Sequence, residues 1–165
     1  IFRIGALTNS SFHARTFGRQ VYHLAAAPGY LRRSGTPASP DDLSSHRCLV
    51  YRGSSGPNRW FFRAMGADWT HYPVSPLMTS NNAEALLIAA LGGMGLVLFP
   101  DWLIGDKLQS GELVALLPEL EATINTEPQL ISALYPDARH PSLNVRAVID
   151  YYLEAFGSPL YWQRG

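Results

Sequence analysis

Three consecutive polar residues, Ser80, Asn81 and Asn82, are the positions of this sequence best suited to bind a small molecule. They precede residues 83–91, an apolar run of strong helix formers whose single charge, Glu84, lies near its start. The first N–H groups of a helix lack partners inside it, and the helix dipole is positive at that end. With the polar side chains as further donors, the segment suits a carboxylate or another small anion. A structural alternative, compatible with the first, is that Asn81 caps the helix and forms a capping box with Glu84.

The glycine-rich segment 92–95 separates two apolar segments of different kinds. Residues 83–91 before it are apolar on nearly all faces, which predicts a buried helix. Residues 96–99 after it form a short apolar run that is typical of a buried strand, and a second helix is predicted at 101–108. A phosphate-binding glycine loop has the opposite order, because it leads from a strand into a helix. We therefore interpret the glycines as a turn that ends the first helix.

Other residues that could do chemistry form no clear pattern. The five histidines lack metal-ligand spacing, and Asp41 and Asp42 are adjacent, which favours capping over acid–base catalysis. Residues 53–56, Gly-Ser-Ser-Gly, lack the strand-to-helix context of a nucleophile elbow. Cys48 has apolar neighbours that indicate a core thiol, and the aromatic run 60–62 fits a core better than a ligand platform. We expect no metal, no cofactor and no catalytic centre, with a hydrolase or transferase on an α/β scaffold as an open alternative.

Composition narrows the class of protein. The 165 residues are 47% hydrophobic and 16% charged, as in one soluble domain or two small lobes. The net charge is zero, so the sequence lacks the excess of positive charge that is typical of nucleic-acid-binding domains. No apolar run reaches the ~18 residues of a membrane-spanning helix. The single cysteine excludes an internal disulfide and fits a cytoplasmic setting. Residues 1–5 alternate like a strand without a methionine or a signal peptide, so we expect the middle of a longer protein.

Apolar periodicity predicts a mixture of strands and helices. The last helix has the clearest pattern, an apolar stripe from Val145 to Phe156 between Ser142 as N-cap and Gly157 as stop. A loop or edge strand is predicted at 118–127. Strands are predicted at 17–27, 48–51, 60–62, 112–116 and 129–135 and within 70–79, and a short helix at 30–33. Because strands and helices do not alternate strictly, we predict an α/β fold with a mixed sheet.

An ordered series of segments resembles one known family. The most specific segment is Asn81-Asn82-Ala83-Glu84-Ala85-Leu86-Leu87. The others are 3–7, 27–31, 35–37, 42–43, 46–49, 90–96, 100–103, 135–136 and 145–150. Together these segments cover nearly the whole chain, and they resemble the effector-binding domain of LysR-type transcriptional regulators.

The resemblance implies a periplasmic-binding-protein-like fold of type 2, in which two α/β lobes with mixed sheets are joined by two crossover strands. Residues 1–23 would form part of lobe I, residues 24–131 a complete lobe II, and residues 132–165 the return crossover and C-terminal helix of lobe I. The first part of lobe I and the DNA-binding helix-turn-helix domain would be absent. The apolar stripe of the last helix would then be exposed or covered by another chain.

The resemblance also implies a site for a small effector between the lobes. Asn81 matches the contact at the start of the lobe II helix, with Ser80 and Asn82 beside it. Ala26 and Ala27 at the crossover, and the loop from Ile4 through Gly5 to Ala6, match positions that line the same cleft. Members of the family often have Thr or Ser where this chain has Asn. An Asn amide can both donate and accept hydrogen bonds, so an anionic effector is plausible but not required.

Together the residues and the resemblance predict an effector-sensing regulatory domain and not an enzyme. Its partners would be a small molecule, such as a carboxylate or another anion, and further copies of the chain in a dimer or tetramer. DNA would be bound only through the absent domain, and no membrane would be involved. The alternative is a solute-binding protein of a transport system with the same fold.

Overall fold

The computed structural model describes residues 1–5, 12–53, 56–136 and 142–163. The chain forms two compact units, one from Ile1–Gln20 with Glu127–Gly165 (unit 1) and one from Val21–Thr126 (unit 2). Ala6, predicted to line the effector site, and the Ser54-Ser55 part of the predicted loop lie outside the described residues. None of the helices in the described part of the chain has the length and apolar character needed to cross a membrane.

Strands and helices alternate irregularly along the chain. The strands are β1 Phe2–Gly5, β2 Phe12–Arg19, β3 Tyr22–Ala26, β4 Cys48–Gly53, β5 Gly56–Pro57, β6 Trp60–Ala64, β7 Thr70–Tyr72, β8 Pro76–Ser80, β9 Val97–Pro100, β10 Val114–Leu116, β11 Leu120–Thr123 and β12 Leu130–Pro136. The helices are α1 Pro28–Ser34, α2 Ala83–Leu91, α3 Asp101–Gln109 and α4 Leu143–Phe156, with short 3-10 helices at Pro40–Ser45 and Tyr161–Gln163. The predicted strand at 17–27 is in fact two strands, because the chain passes from unit 1 to unit 2 between β2 and β3.

Unit 1 is a three-stranded antiparallel sheet, β1-β12-β2, with α4 packed against it. The ring of Phe2 in β1 lies 4.7 Å from that of Tyr152, and the ring of Phe17 in β2 lies 5.3 Å from that of Phe156. The α4 prediction is confirmed at both ends. The Ser142 hydroxyl accepts a hydrogen bond from the backbone N–H of Val145, and Gly157 ends the helix at a φ of +71°.

Unit 2 contains a larger sheet in the order β10-β3-β11-β6-β7, and β9 pairs antiparallel with β3. In a separate three-stranded sheet, β4 pairs parallel with β8 and antiparallel with β5, so the predicted mixture of strand directions is confirmed. The segment 118–127 is not an edge, since β11 pairs with both β3 and β6. β11 has only four residues, too few to give a clear alternation of apolar and polar residues, which is why the sequence resembles a loop.

The core of unit 2 lies around the β3 strand and its neighbours. Trp60 and Phe62 are almost fully buried, while Phe61 lies on the other side of β6, so these aromatic rings fill the core as the favoured interpretation predicted. A second cluster joins Leu86 of α2 to Leu49 of β4 and Phe99 of β9. Each such side chain contributes about 1.5–3 kcal/mol through burial. This second cluster anchors α2 and thereby positions the segment before it.

The prediction that α2 is buried is only half right. Leu86 and Ala90 are fully buried, but Ile88 on the opposite face is 69% exposed. The helix rests on β4, β8 and β9 with one face, and apolar composition alone does not show which face lacks a neighbour.

Candidate functional site at the start of α2

Asn82, and not Asn81, caps α2. The Asn82 side-chain oxygen accepts a hydrogen bond of 3.1 Å from the backbone N–H of Ala85, and the Ser80 hydroxyl oxygen accepts one of 3.0 Å from the N–H of Asn82. The predicted cap was displaced by one residue because β8 ends at Ser80 and the helix begins at Ala83. Glu84 is therefore at the second helical position, one short of the position that closes a capping box.

The first turn of α2 leaves backbone donors free. Of its early N–H groups, that of Ala85 is bound by the cap side chain and that of Leu86 by the Asn82 carbonyl. Within the described residues, the N–H groups of Ala83 and Glu84 have no acceptor. Asn81, displaced from the cap, is exposed beside them. The helix start thus combines unpaired donors with a polar side chain that has no capping role.

Strand pairing places this helix start at a particular edge of the sheet. β4 and β8 are parallel, with Tyr51 opposite Ser80, so both strands end on the same side. Ligands of open α/β sheets bind outside the carboxyl ends of the strands. Arg52, the exposed residue after Tyr51, therefore belongs to the same edge as Asn81. Tyr51 and Arg52 cannot be recognised from the sequence as residues of this edge, because nothing local shows that β4 and β8 are neighbours.

The other predicted site residues have different surroundings. Ala26 and Ala27 are buried in the core of unit 2, so only their backbone atoms could meet a ligand. The Ala27 carbonyl is engaged as well, since it accepts hydrogen bonds from the N–H groups of Tyr30 and Leu31. Ile4 is exposed and Gly5 half-buried, and both belong to β1 of unit 1. Ser80, Asn81 and Asn82 lie next to one another where β8 ends and α2 begins, and the ligand-binding role of all seven positions stays a prediction.

The glycine segment is a helix-ending turn, as predicted. Gly93 has a φ of +74°, which other residues rarely adopt, and its carbonyl accepts a hydrogen bond of 2.8 Å from the Arg33 guanidinium. Gly95 allows close backbone approach, since a Cβ there would lie 2.4 Å from the Arg47 carbonyl oxygen. The turn connects the C-terminal end of α2 to β9. The candidate ligand site lies at the opposite, N-terminal end of the helix.

Across the described ranges, no group of three His, Cys, Asp or Glu side chains is placed to hold a metal ion. Burial lowers the pKa of His23 below its ordinary value, and the Asp101 carboxylate opposes this shift only in part. Burial thus disfavours the charged form of His23, which lies opposite Phe99 in the pairing of β3 with β9.

Comparison with known proteins identifies the family. The family model described as LysR substrate binding domain matches residues 1–157. The chain belongs to this family. Its fold is accordingly the periplasmic-binding-protein-like fold, which confirms the prediction made from the ordered segments.

Relatives of this LysR-family domain are transcriptional regulators. It is 30% identical to the HTH-type transcriptional regulator CrgA of Neisseria meningitidis serogroup B over 96% of this chain and 51% of CrgA. It is 32% identical to the HTH-type transcriptional activator TtdR of Escherichia coli K12 over 84% of this chain and 43% of TtdR. The chain thus spans about half the length of these curated relatives. These relatives support the effector-binding regulatory domain, and not the transport protein that was its alternative.

Solved structures give the same assignment. The regulatory domain of AphB from Vibrio vulnificus matches with a TM-score of 0.76 and 27% identity over 94% of this chain and 74% of that domain. The CrgA regulatory domain of Neisseria meningitidis matches with a TM-score of 0.73 and 26% identity over 94% of this chain and 74% of that domain. In both, the matched part is a regulatory domain.

We expect Cys48 of this LysR-family domain to be unreactive in the folded state. The side chain is fully buried, and burial raises the pKa of its thiol from 9.0 to about 12, so little of the reactive thiolate forms. An aromatic disulfide that releases a coloured thiolate on reaction should label Cys48 at pH 8 only after the protein is denatured. Rapid labelling of the native domain would contradict this.

The same raised pKa predicts that stability depends on pH. The Cys48 thiol of the unfolded chain ionises at a lower pH than the buried thiol of the folded domain, so the free energy of unfolding should decline as the pH rises above 9.

Proposed function

We propose that this LysR-family domain senses a small carboxylate or another small anion, which binds at the start of α2. The observation that carries the proposal is the pair of N–H groups of Ala83 and Glu84, which lack acceptors within the described residues and lie beside exposed Asn81. An anion there would accept hydrogen bonds from both groups and gain from the helix dipole. A charge-assisted hydrogen bond is also stronger than a neutral one.

The three polar residues before the helix would have different roles in the site. Asn82 holds the first turn in place as the cap, so its side-chain oxygen is occupied. Asn81 would donate from its amide to the bound anion. The Ser80 oxygen accepts from the Asn82 N–H, which leaves its own hydroxyl hydrogen free to donate. Arg52 at the end of β4 supplies positive charge at the same edge of the sheet.

The remaining predicted contacts depend on the resemblance to the family. Ile4 and Gly5 would be ligand contacts in unit 1, and the backbone of Ala26 and Ala27 would be ligand contacts in unit 2. The side chains of Ala26 and Ala27 are buried and would not touch the ligand themselves. Their small size would only let the ligand approach the backbone closely. This restricts their role to shape, so we expect specificity to come from residues 80–82.

In the whole protein, effector binding would be converted into a change in DNA binding. The relatives carry HTH-type names, and a structure of CrgA is described as that of a LysR-type transcriptional regulator. We propose that this protein acts likewise in the cytoplasm as a dimer or tetramer, contacts DNA through a separate domain and catalyses no reaction. The effector would act by binding one of two arrangements of the regulator more tightly than the other.

Replacing Asn81 by alanine should weaken effector binding without destabilising the domain. Loss of a hydrogen bond to a charged ligand costs about 1.5 kcal/mol, which is roughly tenfold in Kd. Thermal-shift measurements on the regulatory domain of this protein would identify a ligand. The compounds to test are acetate, succinate, citrate, benzoate and inorganic phosphate. Titration calorimetry would then measure its Kd.

Asn82 provides the matched control for this experiment. Asn82→Ala removes the cap and should lower the free energy of unfolding by about 1 kcal/mol, whereas Asn81→Ala should leave it unchanged. Full affinity in Asn81→Ala would exclude Asn81 from the site. The uncharged amides acetamide, succinamide and benzamide should be measured beside these anions. If they stabilised the domain while no anion did, the proposed ligand class would be wrong.

A further inference from the structure

Unit 2 contains a polar pocket at the C-terminal end of α2. The pocket has a volume of about 380 Å³, and its lining is more polar than apolar. Helix α1, the glycine turn after α2 and the turn after α3 contribute to it, among them Gly29, Arg32, Arg33, Gly93 and Glu112. Because α2 has nine residues, the pocket lies roughly 14 Å from the start of that helix. It is therefore separate from the candidate effector site.

Two guanidinium groups converge in this pocket. Arg32 and Arg33 are adjacent on α1, and long side chains on a helix point back towards its beginning. A Cβ atom on Gly29 would lie 3.6 Å from Nη1 of Arg33 and 3.7 Å from Nη2 of Arg32. The two nitrogens are thus no farther apart than these two distances together. Since like charges repel each other, an anion placed between the two groups would be stabilised by both.

The two arginines differ in what they already bind. The Arg33 guanidinium donates a hydrogen bond of 2.8 Å to the Gly93 carbonyl oxygen, so it helps to hold the turn after α2. A guanidinium has five N–H donors, and Arg33 therefore keeps donors for a ligand. Arg32 is exposed and has no hydrogen-bond acceptor or ion-pair partner among the described residues. Its charge has no structural role that would explain its position over the pocket.

The carboxylate of Glu112 also belongs to the lining, but it is already engaged. It accepts hydrogen bonds of 2.9 Å from the Ser110 hydroxyl and 3.1 Å from the Lys107 ammonium group. These bonds hold the pKa of Glu112 below its ordinary value, so its charge is fixed at neutral pH. Lys107 also lies 3.6 Å from the Asp106 carboxylate. With all of these groups counted, positive charges still outnumber negative ones, because both guanidinium groups lack a carboxylate partner within the described residues.

We propose that this pocket binds the phosphate group of a small molecule, either inorganic phosphate or a phosphate monoester, between Arg32 and Arg33. A phosphate monoester has a charge of about −1.5 to −2 at pH 7 and three strong acceptor oxygens, which match two guanidinium groups better than one carboxylate does. Two charge-assisted hydrogen bonds of about 2.7–2.9 Å and the width of the phosphate together span the two nitrogens. Pro28 and Leu91 in the lining would contact the organic part of a monoester. The proposal is independent of the site at the start of α2.

The test measures the binding of inorganic phosphate and of glycerol 3-phosphate to the full-length protein by titration calorimetry at pH 8. Arg32→Gln should raise the Kd of the bound ligand by about tenfold or more, because it removes a charge-assisted hydrogen bond. Arg146→Gln removes the same charge from an exposed position of α4 and is the matched control, with an unchanged Kd expected. Asn81→Ala should also leave the Kd unchanged, which separates this pocket from the start of α2. The ligand that binds more tightly identifies the source of the phosphate group.

The charge of the ligand gives a second readout. A phosphate monoester loses its second proton at about pH 6, while arginine keeps its charge, so glycerol 3-phosphate should bind several-fold more tightly at pH 8 than at pH 5. Arg32→Lys, which keeps the charge but not the fork of donors, should have an intermediate Kd, and it replaces Arg32→Gln if that variant folds poorly.

Three outcomes would overturn the proposal. The first is that neither ligand binds at millimolar concentration. The second is that both Arg32 variants bind with the Kd of the unmodified protein. The third is that Asn81→Ala weakens phosphate binding while Arg32→Gln does not, because the phosphate would then be bound at the start of α2.

Discussion

Replacing Leu86 by alanine should lower the free energy of unfolding of unit 2 by about 2–5 kcal/mol, the range measured for large-to-small changes in protein cores. Leu86 is fully buried in the cluster that joins α2 to Leu49 of β4 and Phe99 of β9. Its removal leaves a cavity that these neighbours cannot close, since they belong to paired strands. Urea denaturation followed by circular dichroism measures the loss.

Ile88 provides the matched control on the same helix. It is 69% exposed, so Ile88→Ala should change the free energy of unfolding by no more than about 0.5 kcal/mol. Equal losses for the two variants would mean that α2 does not pack by the face described. The contrast also matters for the site, because the burial of Leu86 holds the start of α2 at the ends of β4 and β8.

Replacing Gly95 by alanine should destabilise the domain by about 1–3 kcal/mol or more, because a methyl group must enter a space that is already filled. The new Cβ would lie 2.4 Å from the Arg47 carbonyl oxygen. That same oxygen accepts a hydrogen bond of 2.8 Å from the Leu96 N–H, and the Leu49 N–H donates to the Leu96 carbonyl at 2.8 Å. The contact cannot relax without separating the backbone segments that connect β4 to β9.

Gly92 shows that the effect should be specific to one glycine of the turn. Its φ is −70°, and a Cβ there would have ordinary contacts, the nearest 3.4 Å from the Ile88 carbonyl oxygen. Gly92→Ala should therefore be neutral, or stabilise by up to about 1 kcal/mol through the unfolded chain. Thermal unfolding of the two variants side by side measures the difference. A Gly95→Ala variant as stable as Gly92→Ala would contradict the close approach.

Local pattern was sufficient where one element carries its own signal. The stripe from Val145 to Phe156, with Ser142 before it and Gly157 after it, predicted α4 and both of its ends. The glycines after α2 were recognised as a turn, because helix-to-strand order is visible along the chain. Such features depend on residues within a few positions of one another.

Pattern was insufficient where a residue's role depends on a distant strand. β11 lies between β3 and β6, and no local feature of 118–127 reports these neighbours. The cap moved from Asn81 to Asn82 because the end of β8 is set by its pairing with β4. Arg52 joins the edge beside Ser80 through that same pairing, although 28 positions separate the two residues in the sequence.

The amino-acid sequence by itself determined the family, the α/β class and the helix whose start is the candidate site. It did so because these depend on ordered local segments, each with its own period, cap or turn. The tertiary structure alone decided which asparagine caps and which remains available, that Ala26 and Ala27 are core residues, and that Arg32 and Arg33 share a pocket with the turns after α2 and α3. These properties depend on which surfaces meet, and burial and pairing between distant segments leave no periodic signal in the residues themselves.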